Sequence, residues 1–322
     1  MPTRFSTVII LLGLLMWPMT GAMAHTWGDP VVGNLDSIGS DTMAGLMLRW
    51  GERLEQRYPA VRLQLQANGS ATAPPALAEG TTRLGPMSRR MTASEREMFE
   101  ASHGYPPTEI PVAMDALAVF VNRHNPLGKL TMTQLDAIFS DTLRCGAETS
   151  IERWDDLDRP ELAGPIDRHS RNSVSGSYGV FRRDALCGGN FRVDVNEHPG
   201  SSSVVAAVAA TIGGIGYSGI GYVTSAVRPL ALQEGDGPAV MPSERTTLNG
   251  EYPLSRTLYL YVNLPPGESL PPVERAFIDL VLSPAGQDSV RESGFIPLPE
   301  SVIAAVRQAL GLNVPWGHVS PR

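Results

Sequence analysis

The feature that most constrains this chain is a change of period over a few dozen residues. Between Asp41 and Tyr58 the apolar residues Met43, Leu46, Met47, Trp50 and Leu54 recur three and four apart, with Arg49, Glu52, Arg53, Glu55 and Arg57 between them. That is the pattern of an amphipathic helix. Past Tyr58 and Pro59 the period drops to two, because Val61 to Ala67 alternates apolar with polar as a strand does. Residues 31–67 therefore read as a strand, helix, strand unit, and such units build α/β lobes with mainly parallel sheets.

The alternation continues along the chain. A second short helix is expected after Asn68-Gly69-Ser70-Ala71-Thr72, since Pro74 and Pro75 suit a first turn whose N–H groups lack partners anyway. Leu84 to Arg90 reads as a short strand and turn, and Val112 to Asn122 as a long buried strand that carries the chain into a second body. Thr131 or Thr133 caps a helix through Gln134, Leu135, Ile138 and Phe139; Pro165 to Arg168 is a strand; Ser201 opens an Ala/Val-rich helix to Ala210; Ile215 to Val223 is a glycine-rich strand. Arg256 to Asn263 is strand-like and returns the chain to the first body, and two capped helices, Pro272 to Leu282 and Pro284 to Ser293, finish it. The Pro/Gly-rich stretch from Gly235 to Pro253 reads as an exposed excursion.

At 322 residues the chain exceeds what one ordinary core holds, so two lobes are expected. Its first residues carry one positive charge at Arg4, an apolar run from Val8 to Trp17 and then Ala22-Met23-Ala24, the pattern of a secretory signal peptide over residues 1–24. The mature protein is then expected to begin near His25, in the periplasm. The apolar run is half the ~20 residues a spanning helix needs, and no later segment is longer. No cysteine stands at the cleavage point to carry a lipid, so no membrane anchor is expected. The net charge of -7 argues against nucleic acid or an anionic membrane surface as partner. A small anion is a different matter, since one buried site needs only local positive potential. The two cysteines, Cys145 and Cys187, fit neither a disulfide scaffold nor a metal site; in an oxidising compartment they form one bridge or stay as two buried thiols.

Three hydroxyl-bearing turns stand directly before predicted helices: Gly39-Ser40-Asp41-Thr42, Gly69-Ser70-Ala71-Thr72 and Ser175-Gly176-Ser177. A helix start presents unpaired N–H groups and about half a positive charge, which suits an anion. Taken singly each turn is an ordinary cap. The third carries more information because Arg171 lies four residues before Ser175, so a guanidinium fork and a hydroxyl-bearing helix start fall within reach of one oxyanion.

At this point the chain resembles a known family. Arg171 to Tyr178 is similar to the R-x-x-x-S-G-[TS] segment of the periplasmic phosphate-binding proteins that feed ABC transporters. Gly200 to Val205, Ile215 to Tyr222, Ser88-Arg89 and Tyr259 to Asn263 resemble that family too, in the right order over nearly the whole chain after the leader. The resemblance implies an α/β, two-lobed periplasmic-binding-protein fold of type II with two hinge crossings. One lobe would comprise residues 25–113 and 255–322, the other 114–254. It also implies inorganic phosphate as ligand, the membrane permease of an ABC transporter as partner, a monomer, no cofactor and no enzymatic activity.

Carried over position by position, the anion contacts fall on Ser40, Asp41 and Thr42 in the first turn, Ser70, Ala71 and Thr72 in the second, Ser88 and Arg89 after the short strand, and Arg171, Ser175, Gly176 and Ser177 in the third turn. One departure matters. Relatives commonly place an aspartate where this chain has Arg89, and its carboxylate accepts the proton of bound phosphate; sulfate has no proton at neutral pH and is repelled. Either the carboxylate has moved, with Asp41 the first candidate and Asp115 the second, or Asp41 is a helix cap and the site takes sulfate or another oxyanion. Arg89 either adds positive charge to the site or turns away into a salt bridge. Ser201, as a helix start, is expected to matter for stability only.

Other motifs carry less. Gly214 to Gly219 matches G-x-G-x-x-G, yet it follows a helix and is itself strand-like, whereas the dinucleotide fingerprint needs a strand before and a helix after. The six histidines show no metal-ligand spacing. A phosphohydrolase would need an activated nucleophile or a metal cluster, and no base is paired in sequence with Ser175 or Ser177. A secreted phosphate-coordinating protein of adhesion or biofilm would carry the same site as a transport receptor.

Overall fold

The computed structural model describes residues 31–157 and 163–312. The expected signal peptide, the start near His25 and residues 313–322 lie outside the described residues. Strand β1 (Gly33–Ile38), helix α1 (Ala44–Arg57) and strand β2 (Val61–Gln66) form the first unit, with β1 and β2 parallel and Gly33 opposite Val61. Helix α1 turns Leu46, Met47, Trp50 and Leu54 inward, and Trp50 Nε1 donates to the Gly286 carbonyl at 2.9 Å. One 3-10 turn over Ser70–Thr72 leads into α2 (Ala73–Ala78), followed by β3 (Gly85–Met87).

Helix α3 (Ala93–His103) was not expected. It buries only Phe99, so it has no apolar stripe to read, but Thr92 and Glu95 form a reciprocal capping box at its start. Then comes β4 (Thr108–Asn122), fifteen residues long, of which the sequence pattern marked the last eleven.

The next stretch holds β5 (Lys129–Thr131), α4 (Met132–Phe139), β6 (Asp167–Arg171), α5 (Gly176–Asp184), β7 (Asn196–His198), α6 (Ser201–Ala210) and β8 (Gly214–Gly219). Thr131, rather than Thr133, caps α4, through a capping box with Gln134. The G-x-G-x-x-G run is β8 itself. A Cβ at Gly216 would stand 2.8 Å from a Val204 methyl and 2.9 Å from one of Val208, so close packing of α6 on the sheet accounts for the glycine. Cys145 and Cys187 are joined, with Cα atoms 5.4 Å apart, tying the loop after α4 to the end of α5. By the loop-entropy account such a bridge stabilises by about 3–4 kcal/mol.

Short strands β9 (Val227–Pro229), β10 (Ala231–Gln233) and β11 (Ala239–Val240) and helix α7 (Glu244–Leu248) follow. The stretch 235–253 is thus only partly the exposed excursion expected of it: Thr246, Thr247 and Tyr252 are buried, and Tyr252 Oη donates to the Leu117 carbonyl. Strand β12 (Ser255–Val262) precedes α8 (Pro272–Val281), α9 (Pro284–Glu292) and α10 (Glu300–Ala309). The chain does not finish with two helices, as α10 lays Ile303, Val306 and Leu310 against the same core.

The main sheet has the order β3-β12-β4-β8-β6-β7, with β9 also on β4. Its long ladders are antiparallel, which corrects the expectation of mainly parallel sheets: β12 returns directly alongside β4, and β8 also runs against β4. Parallel pairing joins β1 with β2, β6 with both β7 and β8, and β5 with β10.

Two large apolar clusters flank this sheet. One takes Ile110, Val112 and Ala113 from β4 and Leu258, Leu260 and Val262 from β12, and packs α1, α8 and α9. The other takes Ala116, Leu117, Val119 and Val121 from β4 and Leu254 ahead of β12, and packs α4, α5 and β8. Both strands change cluster at the same level. There, Asp115 and Arg256 are register partners. The architecture is the two-lobed α/β fold expected from the sequence, with β4 and β12 as the paired crossings.

Candidate functional site

The turn after β6 brings the chain back on itself, with the Ser175 N–H on the Asn172 carbonyl at 3.1 Å. Ser175 then caps α5: its backbone is extended and its hydroxyl accepts from the Ser177 N–H at 3.1 Å. Such a cap is worth about 1 kcal/mol. It also sets Gly176 and Ser177 in the first turn of a helix whose N-terminal end faces Ser70 and Ser88.

Arg171, the last residue of β6, has no exposed side-chain surface. Its Nη2 donates to Asp41 Oδ1 at 2.7 Å and to the Pro199 carbonyl at 2.9 Å, its Nη1 to Ser201 Oγ at 3.0 Å, and its Nε to the His198 carbonyl at 3.3 Å. Asp41 Oδ2 in turn accepts the Ser201 N–H at 3.3 Å. Asp41 is therefore not the cap of α1, whose N-cap Met43 has no side-chain cap hydrogen bond. A carboxylate accepts about four hydrogen bonds, so Asp41 retains capacity beyond Arg171 and Ser201. Tyr222 Oη donates to the carbonyls of Asp41 and Thr42 at 3.1 and 3.0 Å, and burial, with Asp41 next, pushes its phenol up to about 12. It stays a neutral donor at pH 7.

The first and third turns meet directly: Thr42 Oγ1 and Ser177 Oγ share a hydrogen bond of 3.3 Å across 135 residues of sequence. Ser177 Oγ also accepts from Arg256 Nη1 at 2.9 Å. Arg256 holds Asp115 Oδ2 through Nε at 2.8 Å and Nη2 at 2.7 Å, and the Ile220 N–H donates to Asp115 Oδ1 at 3.0 Å. Burial pushes the Asp115 carboxyl up, while the charge and hydrogen bonds of Arg256 oppose that rise. Removing one partner of so buried a pair costs about 3–5 kcal/mol.

The second turn closes the ring. Ser70 and Ser88 share a hydrogen bond of 3.3 Å, and the Ser88 N–H donates to Ser70 Oγ at 3.0 Å. A Cβ at Gly176 would stand 2.5 Å from Ser70 Oγ and closer still to Ser88 Oγ, so α5 starts against both hydroxyls. The Ala71 N–H donates to the Val174 carbonyl at 3.0 Å. Gly69 has φ of 117°, in the left-handed region, and a Cβ there would meet the Val174 carbonyl oxygen at 2.7 Å. Only glycine lets the backbones come this close.

Most of the expected residues thus converge: Asp41, Thr42, Ser70, Ser88, Arg171, Ser175, Gly176 and Ser177 lie in one buried network of contacts. Ser40 is fully buried beside them, and its hydroxyl makes no hydrogen bond among the described residues. Ala71 and Thr72 are committed to the turns, the Thr72 hydroxyl to the Gly69 carbonyl at 2.8 Å. Arg89 is not joined to the network. It gives both terminal nitrogens to Glu95 at 2.6 Å, the salt-bridge alternative, on the capping box of the unexpected helix α3. Ser201 is more than the helix start expected, since it touches both Arg171 and Asp41.

Arg256 is the residue that sequence reasoning missed altogether. The available signal was one arginine in an otherwise uncharged strand, and its partner Asp115 becomes visible only with the β4–β12 register. Behind Arg171, His169 Nδ1 and His198 Nε2 are 3.1 Å apart, and burial, then the charge of His169, lowers the His198 pKa. Among the described residues no group of three His, Cys, Asp or Glu side chains is placed to hold a metal ion.

This arrangement offers hydroxyls, the guanidiniums of Arg171 and Arg256 and a helix start to an anion, with the carboxylates of Asp41 and Asp115 paired to them in the same network. Comparisons with known proteins agree with that chemistry. The model of the PBP superfamily domain matches residues 25–285. The phosphate-binding protein PstS of Pseudomonas aeruginosa is 52% identical over 288 residues, covering 88% of each chain. Protein SphX of Synechocystis is 31% identical over 230 residues, covering 69% of this chain and 66% of its own. Among solved structures, an ABC-type phosphate transport receptor from Vibrio cholerae superposes with a TM-score of 0.65 at 21% identity, over 82% of this chain and 100% of its own. The phosphate-binding protein of Stenotrophomonas maltophilia does so with a TM-score of 0.65 at 16% identity, over 86% and 93%. The chain belongs to the PBP superfamily and, within it, to the family of the Pseudomonas protein PstS.

Proposed function

We propose that this chain is a periplasmic solute-binding protein that captures inorganic phosphate between its two lobes and delivers it to the permease of an ABC importer. The observation that carries the reading is the convergence of three hydroxyl-bearing turns on Arg171 and Asp41, in a chain half identical to a phosphate-binding protein. The lobes are residues 25–113 with 255–322, and 114–254, the two apolar clusters among the described residues being the support. Residues 1–24 act as the export signal.

In this reading Arg171 Nη groups, the hydroxyls of Ser40, Thr42, Ser70, Ser88, Ser175 and Ser177, and the first N–H groups of α5 supply the donors that replace water around the dianion. The unpartnered buried hydroxyl of Ser40 fits such a role. Asp41 supplies the acceptor. It accepts a hydrogen bond from the proton of HPO₄²⁻ and repels sulfate, while its salt bridge to Arg171 holds it aligned. Nothing in this chemistry transfers a bond, so the protein acts as a receptor and not an enzyme. Domain closure stabilised by the ligand then presents the surface that the permease reads.

Phosphate uptake in a strain deleted for its own receptor tests the role. The wild-type chain is expected to restore uptake of radiolabelled phosphate and the Arg171→Ala form is not. Equal uptake with and without the wild-type chain would overturn transport as its function.

A further inference from the structure

A cavity of about 250 Å³ lies between α5, β4 and β12, with Arg256, the partner of Ser177, in its lining. Four of its lining residues are arginines, namely Arg89, Arg90, Arg183 and Arg256, and among the described residues no carboxylate lines it. Their acidic partners, Glu95, Glu109, Asp184 and Asp115, are all set off its wall. The four differ in depth. Side-chain exposure is 68% for Arg90 and 63% for Arg183 at the rim, 11% for Arg89, and 3% for Arg256 at the floor. Arg90 stacks over the ring of Tyr259, 5.6 Å from its centroid, and donates to its hydroxyl at 3.0 Å. The floor is shared with the site, since Arg256 Nη1 is the group bonded to Ser177 Oγ.

A chain of formal charge -7 repels a dianion at long range, so fast capture needs a local field of the opposite sign. A cleft lined by one sign of charge between low-dielectric walls focuses such a field. We propose that this arginine-lined cleft is the port that draws the oxyanion to the site, with Arg90 and Arg183 as steering residues and Arg256 as the step into it. The inference rests on the phosphate-binding reading above and adds to it where, and by which residues, association is accelerated.

Rapid-mixing kinetics of the purified protein with phosphate, paired with calorimetry, test it. Arg183→Glu should lower the association rate constant roughly three- to tenfold at low ionic strength, with dissociation changed less than about twofold. Arg183→Gln should show about half of that effect on a logarithmic scale, and Arg90→Glu with Arg183→Glu a larger one. All should converge on wild type near 0.5 M salt, where screening is short-ranged. Lys129→Glu makes the same change of net charge on the separate β5–β10–β11 sheet and should leave association within about twofold. The port is overturned if Arg183→Glu associates like wild type, if Lys129→Glu slows it equally, or if the change lies in dissociation. Failure of the wild-type protein to bind phosphate by calorimetry would instead remove the reading on which the port rests.

Discussion

Arg171 is positioned before any ligand contact is made. Four partners, Asp41, Ser201 and the carbonyls of Pro199 and His198, hold its guanidinium with no exposed surface. A fork fixed this way loses little freedom when an oxyanion binds it. Arg171→Ala should cost about 2–5 kcal/mol of phosphate affinity, since it removes a buried charged partner and also strands Asp41. Arg171→Lys should fall between the two, because it keeps the charge and loses the fork. Calorimetric titration of both variants checks this, and an Arg171→Ala affinity within about threefold of wild type would exclude the site. Of the residues in the network, those in the hydroxyl turns were legible because each sits at a predicted helix start. Arg256 was not, as its meaning depends on a cross-strand partner 141 positions away.

Helix α3 shows what a short element contributes without an apolar stripe. Glu95 closes the capping box with Thr92 and also receives both terminal nitrogens of Arg89, with 15% of its side chain exposed. Burial alone would push its carboxyl up, but the hydrogen bonds from Arg89 and from the Thr92 N–H outweigh that and leave it below the ordinary 4.5. A carboxylate lowered on folding contributes stability that is fully present above 4.5 and is lost as pH falls through the lower folded value. Glu95→Gln should therefore unfold about 1–3 kcal/mol more easily at pH 7, with the gap narrowing below pH 4.5. Urea unfolding at several pH values reads this, and a gap independent of pH would rule the ion pair out as its source.

Two helices were read closely from sequence: α1, from its period, within three residues at its start and one at its end, and α6, from its serine start and Ala/Val content, at both ends. The polar helix α3 and the half-buried α10 were missed, although the capping box of α3 and the spacing of Ile303, Val306 and Leu310 were there to read. Strand direction was misread for a physical reason. Period and composition specify a strand but not its neighbour, and the return of β12 along β4 is a property of the folded chain.

At the scale of the molecule, the two crossings are joined where both strands change core, and the buried Asp115–Arg256 pair locks that level while touching Ser177. Gly69 and Gly176 set how near the lobes come, with φ of 117° at Gly69 and the two serine hydroxyls facing Gly176. Gly176→Ala should leave thermal stability nearly unchanged and weaken phosphate binding by about 2 kcal/mol or more, because the added methyl keeps α5 away from Ser70 and Ser88. Small-angle scattering with saturating phosphate should then show the variant more open than wild type, and an unchanged profile with unchanged affinity would contradict the closure described here.

The central claim is that Asp41, Arg171 and the three hydroxyl turns form one site for protonated phosphate. Its most direct test is isothermal titration of the ligand-stripped protein with phosphate and then with sulfate at pH 7 to 8. Tight binding of phosphate with sulfate silent is the predicted result; heat of binding from sulfate comparable with that from phosphate would show that Asp41 does not select, and no binding of either would contradict the site itself.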